Sequence, residues 1–122
     1  YFPKTKVIEL IYGDVSEKIL ANLITALLNN KDNAVVISSD LSHFHNLKEA
    51  NALDQNCLKG VEKLDLNELE KGCDACGLTG IKAMILAAKH IKLSSKLLDY
   101  RTSANVSHDT NSVVGYMSAL FY

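Results

Sequence analysis

The chain has 122 residues, 48% of them apolar, and a formal net charge of −1. That is enough for one domain with a real core but not for two. The near-neutral balance lacks a basic footprint for nucleic acid, and no apolar run approaches the ~18–20 residues that span a bilayer.

Tyr1-Phe2-Pro3-Lys4 lacks the basic-then-apolar order of a secretory signal. A chain that opens on tyrosine predicts a fragment or a processed piece. Three cysteines, an odd count without a spaced framework, predict a reducing, cytoplasmic setting.

Lys6 to Tyr12 reads as a strand that Gly13 ends. Asp14 then fits a helix N-cap, with Glu17 completing a capping box. Val15, Ile19, Leu20, Leu23, Ile24, Leu27 and Leu28 recur at helical spacing, so this helix is amphipathic to about Asn29. Ala34 to Ser39 is apolar and β-branched, which suits a central strand buried on both faces of a parallel sheet. Residues 6–39 therefore predict a β-α-β unit. The run stops in a polar cluster holding Ser39, Asp40, His43 and His45. In α/β proteins, ligands collect where strands end at their carboxyl side.

Leu47 to Val61 predicts a second helix whose apolar stripe also contains Asp54. A carboxylate on a buried face needs a partner, since an unpaired one costs several kcal/mol. A short helix follows over Leu64 to Lys71, and another over Gly77 to Ile91. Lys96 to Thr102 and Ser112 to Tyr122 read as strands, with a polar turn over Ala104 to Asn111. Strands alternating with helices predict one α/β domain over 1–122, a layered α/β/α sandwich with a mixed sheet.

His43 is a candidate general base, because an imidazole titrates near neutrality; a packing or capping role is the alternative. Asp40 could orient it or simply form a turn. His45 reads as a surface residue. Cys73 and Cys76 make a Cys-x-x-Cys, which is half a zinc site or a redox pair. No second pair exists to complete a zinc ribbon. Cys76, beside Gly77 at a helix start, is the better single candidate, since that position suits a thiolate. Cys73 reads as incidental and Cys57 as core. Ser103, Ser107, His108 and Asp109 crowd one turn, which predicts a solvated turn rather than a triad assembled in space.

Four blocks resemble the C-terminal half of the Memo family, the middle (B) component of the AmmeMemoRadiSam association. They are Ser38-Ser39-Asp40-Leu41-Ser42-His43, Ala50 with Asp54, Cys76-Gly77, and Tyr100-Arg101-Thr102-Ser103 with Ser112-Val113-Val114-Gly115-Tyr116. They occur in the family's order and cover residues 6–122. Ala104-Asn105 departs from it where relatives often carry glycine-aspartate.

The resemblance implies half of a fold like that of class III extradiol dioxygenases, which are non-haem iron enzymes. It implies a pocket in which His43 is the acid/base beside Asp40 and Cys76 is a metal ligand, with Ser39, Asp54 and Ser103 in support. The missing N-terminal half would bring both metal-binding histidines. The intact protein would then be a metal-binding protein, with Fe(II), copper or zinc, and an oxidoreductase; the fragment alone would be inactive and metal-free. The alternative is a non-enzymatic adaptor that binds a peptide or small ligand, served by Lys48, Lys82 or Arg101. Implied partners are the N-terminal half, AMMECR1-like and radical SAM proteins, and a second copy through exposed apolar surface.

Overall fold

The computed structural model describes residues 4–122, so the reading of Tyr1-Phe2-Pro3 lies outside the described residues. Among the described residues, five helices and three strands follow in the order α1 (Glu17–Leu28), β1 (His43–His45), α2 (Leu47–Lys63), α3 (Leu66–Glu70), α4 (Leu78–His90), β2 (Ser95–Thr102), α5 (Ala104–Ser107) and β3 (Val113–Phe121). The α/β class holds. The strands form one antiparallel sheet in the order β1-β3-β2.

The long helices obey their local chemistry. Asn46 caps α2 by accepting the Glu49 N–H at 3.0 Å. Leu64, in the left-handed region at φ 53°, ends that helix. Helix α1 starts two residues later than Asp14 implies. Ser16 is its cap and accepts the Ile19 N–H, and Glu17 becomes the first helical residue.

Helix α4 joins two cores. Its Ile81 and Ile85 pack with Leu41, Leu58, Val61 and Leu69. Its Ala83, Met84, Ala87 and Ala88 pack with Ala21 and Ile24 of α1. A helix apolar on both faces is buried, and the alanines let α1 approach closely. Helix α2 covers the sheet by packing on β2 and β3.

The expected β-α-β unit does not form. Residues 6–12 and 34–39 carry no strand ladder. Val35 and Ile37 turn inward while Val36 is 87% exposed, so the run is covered on one face rather than two. Val7, Ile8 and Ile11 are likewise open to solvent. Apolar β-branched content favours a strand only where a neighbour supplies the other half of the ladder. Among the described residues, none does so for these two runs.

The cysteines also need correction. Cys57 of α2 and Cys73, in the loop before α4, form a disulfide. Cys73 is therefore not incidental, and Cys57 is more than core filling. Cys76 is the free cysteine. The cysteine pattern thus gives no ground for a reducing compartment. No helix among the described residues is long and apolar enough to cross a membrane.

Candidate functional site

The site starts where the 34–39 run joins the sheet. The Leu41 N–H donates to Gly115 O, and the Gly115 N–H donates to Ser42 O, both at 2.9 Å. The chain then enters β1, where His43 faces Val114 and His45 faces Val113. Two β1 residues take the space of one step on β3, so Phe44 is the extra residue of a bulge.

Asp54 fixes this junction from below. Its side chain is wholly buried. Oδ1 accepts the Ser42 N–H at 3.0 Å, and Oδ2 accepts the Tyr100 hydroxyl at 2.7 Å. The same hydroxyl lies 2.9 Å from Asn51 Oδ1. The partner that the amphipathic pattern demanded is thus a backbone N–H and a phenol, not a cation. The carboxylate fits only because residue 115 lacks a side chain. A Cβ there would overlap Oδ2 and stand 2.7 Å from Cγ. Ser42 Oγ is buried with no hydrogen-bond partner among the described residues.

Burial, the hydrogen bond to Asp54 and the carboxylate charge, in that order, raise the Tyr100 phenol above its ordinary value of 10.0. A raised native pKa gives its full stabilisation below that ordinary value. The contribution is lost as pH climbs past it, because the unfolded chain ionises first. The urea midpoint of the wild type should therefore fall more steeply above pH 10 than that of Tyr100→Phe. Equal slopes would contradict the coupling to Asp54.

Three predicted groups converge at the surface. His43 Nε2 is 3.5 Å from Asp40 Oδ2, with the imidazole 29% and the carboxylate 51% exposed. Cys76 Sγ accepts the Asp40 N–H at 3.3 Å, while the Cys76 N–H donates to Asp40 O at 3.2 Å. Residue 40 is thus clasped on both sides of its backbone by residue 76. Ser39 reinforces the clasp. Its hydroxyl donates to Asp40 O and accepts the Gly77 N–H, each at 2.8 Å, and lies 3.7 Å from Cys76 Sγ. Gly77 is required by this approach, since a Cβ there would stand 2.6 Å from Ser39 Cβ.

The other candidates sort by contact. Ser103 holds β3 at the bulge: its N–H donates to Val114 O at 2.9 Å and its Oγ accepts the Val114 N–H at 3.1 Å. It supports the strand facing His43 and makes no bond to Asp40, His43 or Cys76. His45 is not a bare surface residue. Its Nε2 is 3.3 Å from Asp74 Oδ2 and its Nδ1 is 3.8 Å from Glu49 Oε2, which ties β1 to the loop carrying Cys76. Nothing in the sequence marks that pairing, because Asp74 is far away along the chain. Ser107 and Asp109 bond to each other within their own turn, as the solvated reading requires. Arg101 and Lys82 are engaged by Asp99 and Glu70.

Among the described residues, no group of three His, Cys, Asp or Glu side chains could hold a metal ion. Cys76 offers one exposed sulfur, so the donors fit a metal only in part. A cavity of about 480 Å³ lies between Val35 and Ile37 on one side and Met117 and Phe121 on the other. It is mostly apolar and meets the site only at Ser39.

The family model described as Memo-like protein matches residues 1–120. A MEMO1 family protein of Methanobrevibacter smithii is 33% identical over 95% of this chain and 45% of its own length. One from Nitrosopumilus maritimus is 28% identical over 97% of this chain and 46% of its own. One from Sulfolobus acidocaldarius is 32% identical over 88% and 40%. The chain spans less than half the length of these curated relatives.

Proposed function

Because the chain belongs to the Memo-like family, we propose that Asp40, His43 and Cys76 form one wall of a metal-dependent pocket. In this reading the intact protein is a dioxygenase-like oxidoreductase in which His43 moves protons. The observation that carries it is that Asp40, just before β1, meets the His43 imidazole with its carboxylate and the Cys76 thiol with its backbone N–H. A carboxylate at hydrogen-bonding reach orients an imidazole and balances its charge once it takes a proton. Iron(II), copper or zinc, when bound, would supply Lewis-acid or redox chemistry, and a thiolate ligand favours the softer copper or zinc. Cys76 is the ligand this chain would contribute.

The remaining ligands would come from the half of the family fold that lies beyond this match. The exposed Val7, Ile8, Ile11 and Val36 form the surface we assign to that half. Association with AMMECR1-like and radical SAM proteins follows only from the resemblance.

The test combines the protein with the upstream half of the Methanobrevibacter smithii relative. Bound metal is then counted, and oxygen uptake is followed with catechol as the probe. Cys76→Ala should lose most of the metal. His43→Asn should keep the metal and lose turnover by about 10²-fold or more. Full metal retention by Cys76→Ala would sink the ligand assignment. Saturable ligand binding with no metal and no turnover would favour the adaptor reading instead.

A further inference from the structure

Phe44 is, among the described residues, the one strained residue that no helix end explains. Among the described residues, four other than glycine have positive φ: Phe44 at 63°, Leu64 at 53°, Lys92 at 61° and His108 at 60°. Leu64 and His108 are helix C-caps, and Lys92 directly follows the cap of α4. A left-handed residue is an ordinary way to end a helix. Phe44 lies inside a strand, and for a bulky residue that conformation is a genuine outlier.

The strain is imposed from both sides. Upstream, Leu41 and Ser42 are bonded to Gly115, and the Ser42 N–H is held by Asp54. Downstream, His45 is held by Asp74, the Asn46 side chain caps α2, and the Leu47 N–H donates to Thr110 O. The chain between these anchors carries one residue too many for the ladder. Such strain persists only where the surroundings over-determine it, and it gathers at ligand-contacting sites. Its outcome is visible: the phenyl ring is 83% exposed. Its centroid lies 5.9 Å from that of His43, with the planes inclined by 38°. The bulge therefore does not bury the ring; it presents an apolar face beside the imidazole.

We infer that Phe44 is a specificity-determining ligand contact, and that with His43 it forms a platform for a planar aromatic group on the ligand. Aromatic rings favour tilted or offset partners at centroid spacings of roughly 4.5–7 Å. The existing pair already has that spacing and leaves the outer face of Phe44 free for a third ring. A ring seated there would bring its substituents toward His43 Nε2 and Asp40. The ring could belong to a free small molecule or to an aromatic side chain of a polypeptide. This inference rests on the reading of His43 as a site residue.

The test titrates ¹⁵N-labelled protein with benzamide, with its saturated counterpart cyclohexanecarboxamide, and with a capped Ala-Phe-Ala peptide. An aromatic probe should shift the amide signals of His43 and Phe44 saturably, and the saturated probe should bind several-fold more weakly. Tighter binding of the peptide than of benzamide would identify a polypeptide source; the reverse would identify a free compound. Phe44→Gly removes the ring and also relieves the positive φ. It should unfold at the same or higher urea concentration yet bind about five- to tenfold more weakly. Phe44→Tyr, which keeps the ring, should bind like the wild type. No saturable shift with any aromatic probe, or full affinity in Phe44→Gly, would overturn the assignment. Affinity lost in His43→Asn but kept in Phe44→Gly would leave the site reading standing and remove Phe44 from it. Affinity lost in Phe44→Gly but kept in His43→Asn would count against the role of His43.

Discussion

Gly115→Ala should destabilise the protein by about 3 kcal/mol or more, the largest effect expected of a single added methyl group. The new Cβ overlaps Asp54 Oδ2 and meets Cγ at 2.7 Å and Oδ1 at 3.0 Å. Neither partner has room to retreat. The carboxylate is held by the Ser42 N–H and the Tyr100 hydroxyl. The strand is held through both backbone groups of Gly115, which bond Leu41 and Ser42. If the carboxylate moves, a buried charge loses hydrogen bonds worth roughly 1.5–3 kcal/mol each. If the strand moves, the junction that sets Asp40 and His43 opens. Urea unfolding with an unchanged m-value would report the loss. A cost below about 1 kcal/mol would mean that β3 is not seated against Asp54.

Asp54→Ala should cost about 3–4 kcal/mol, since it strands the buried Ser42 N–H and leaves a cavity. Asp54→Asn should cost only about 1–2 kcal/mol, because the amide oxygen still accepts from Ser42 and the amide nitrogen can donate to the Tyr100 oxygen. The two sites are also coupled. With Asp54 already shortened to Ala, the space beside residue 115 is free, so adding Gly115→Ala should cost less than about 1 kcal/mol more. Strict additivity in that double-mutant cycle would show that the two residues do not share one space.

Much of this arrangement was legible in the sequence, where the signal was local. Helices α2 and α4 announce themselves by spacing, and the sequence places β2 and β3 within a few residues of their observed ends. The oddness of Asp54 was legible too, because a carboxylate on an apolar stripe must find partners. Which partners it finds was not, since Tyr100 and Gly115 are reached only through the sheet.

The failures were of another kind. Residues 6–12 and 34–39 have strand composition, yet a ladder is a property of two segments and neither segment pairs. Cys73 sits three residues from Cys76, so spacing drew attention to the wrong pair. The bond goes instead to Cys57, at a sequence separation of 16, where α2 passes the loop. Phe44 gave no sign at all, because a positive φ at a phenylalanine is dictated by its anchors and not by its own preference.

Asp40 lies between His43, which faces its carboxylate, and Cys76, which holds its backbone. Cys76 is the free cysteine and is exposed, so a nitroxide can be attached there and its broadening of amide signals recorded. The structure predicts that the Ser39 and Asp40 signals disappear, that of His43 is strongly broadened, and all three return when the label is reduced. Sharp signals at Asp40 and His43 beside the oxidised label would mean that the three groups do not form one site.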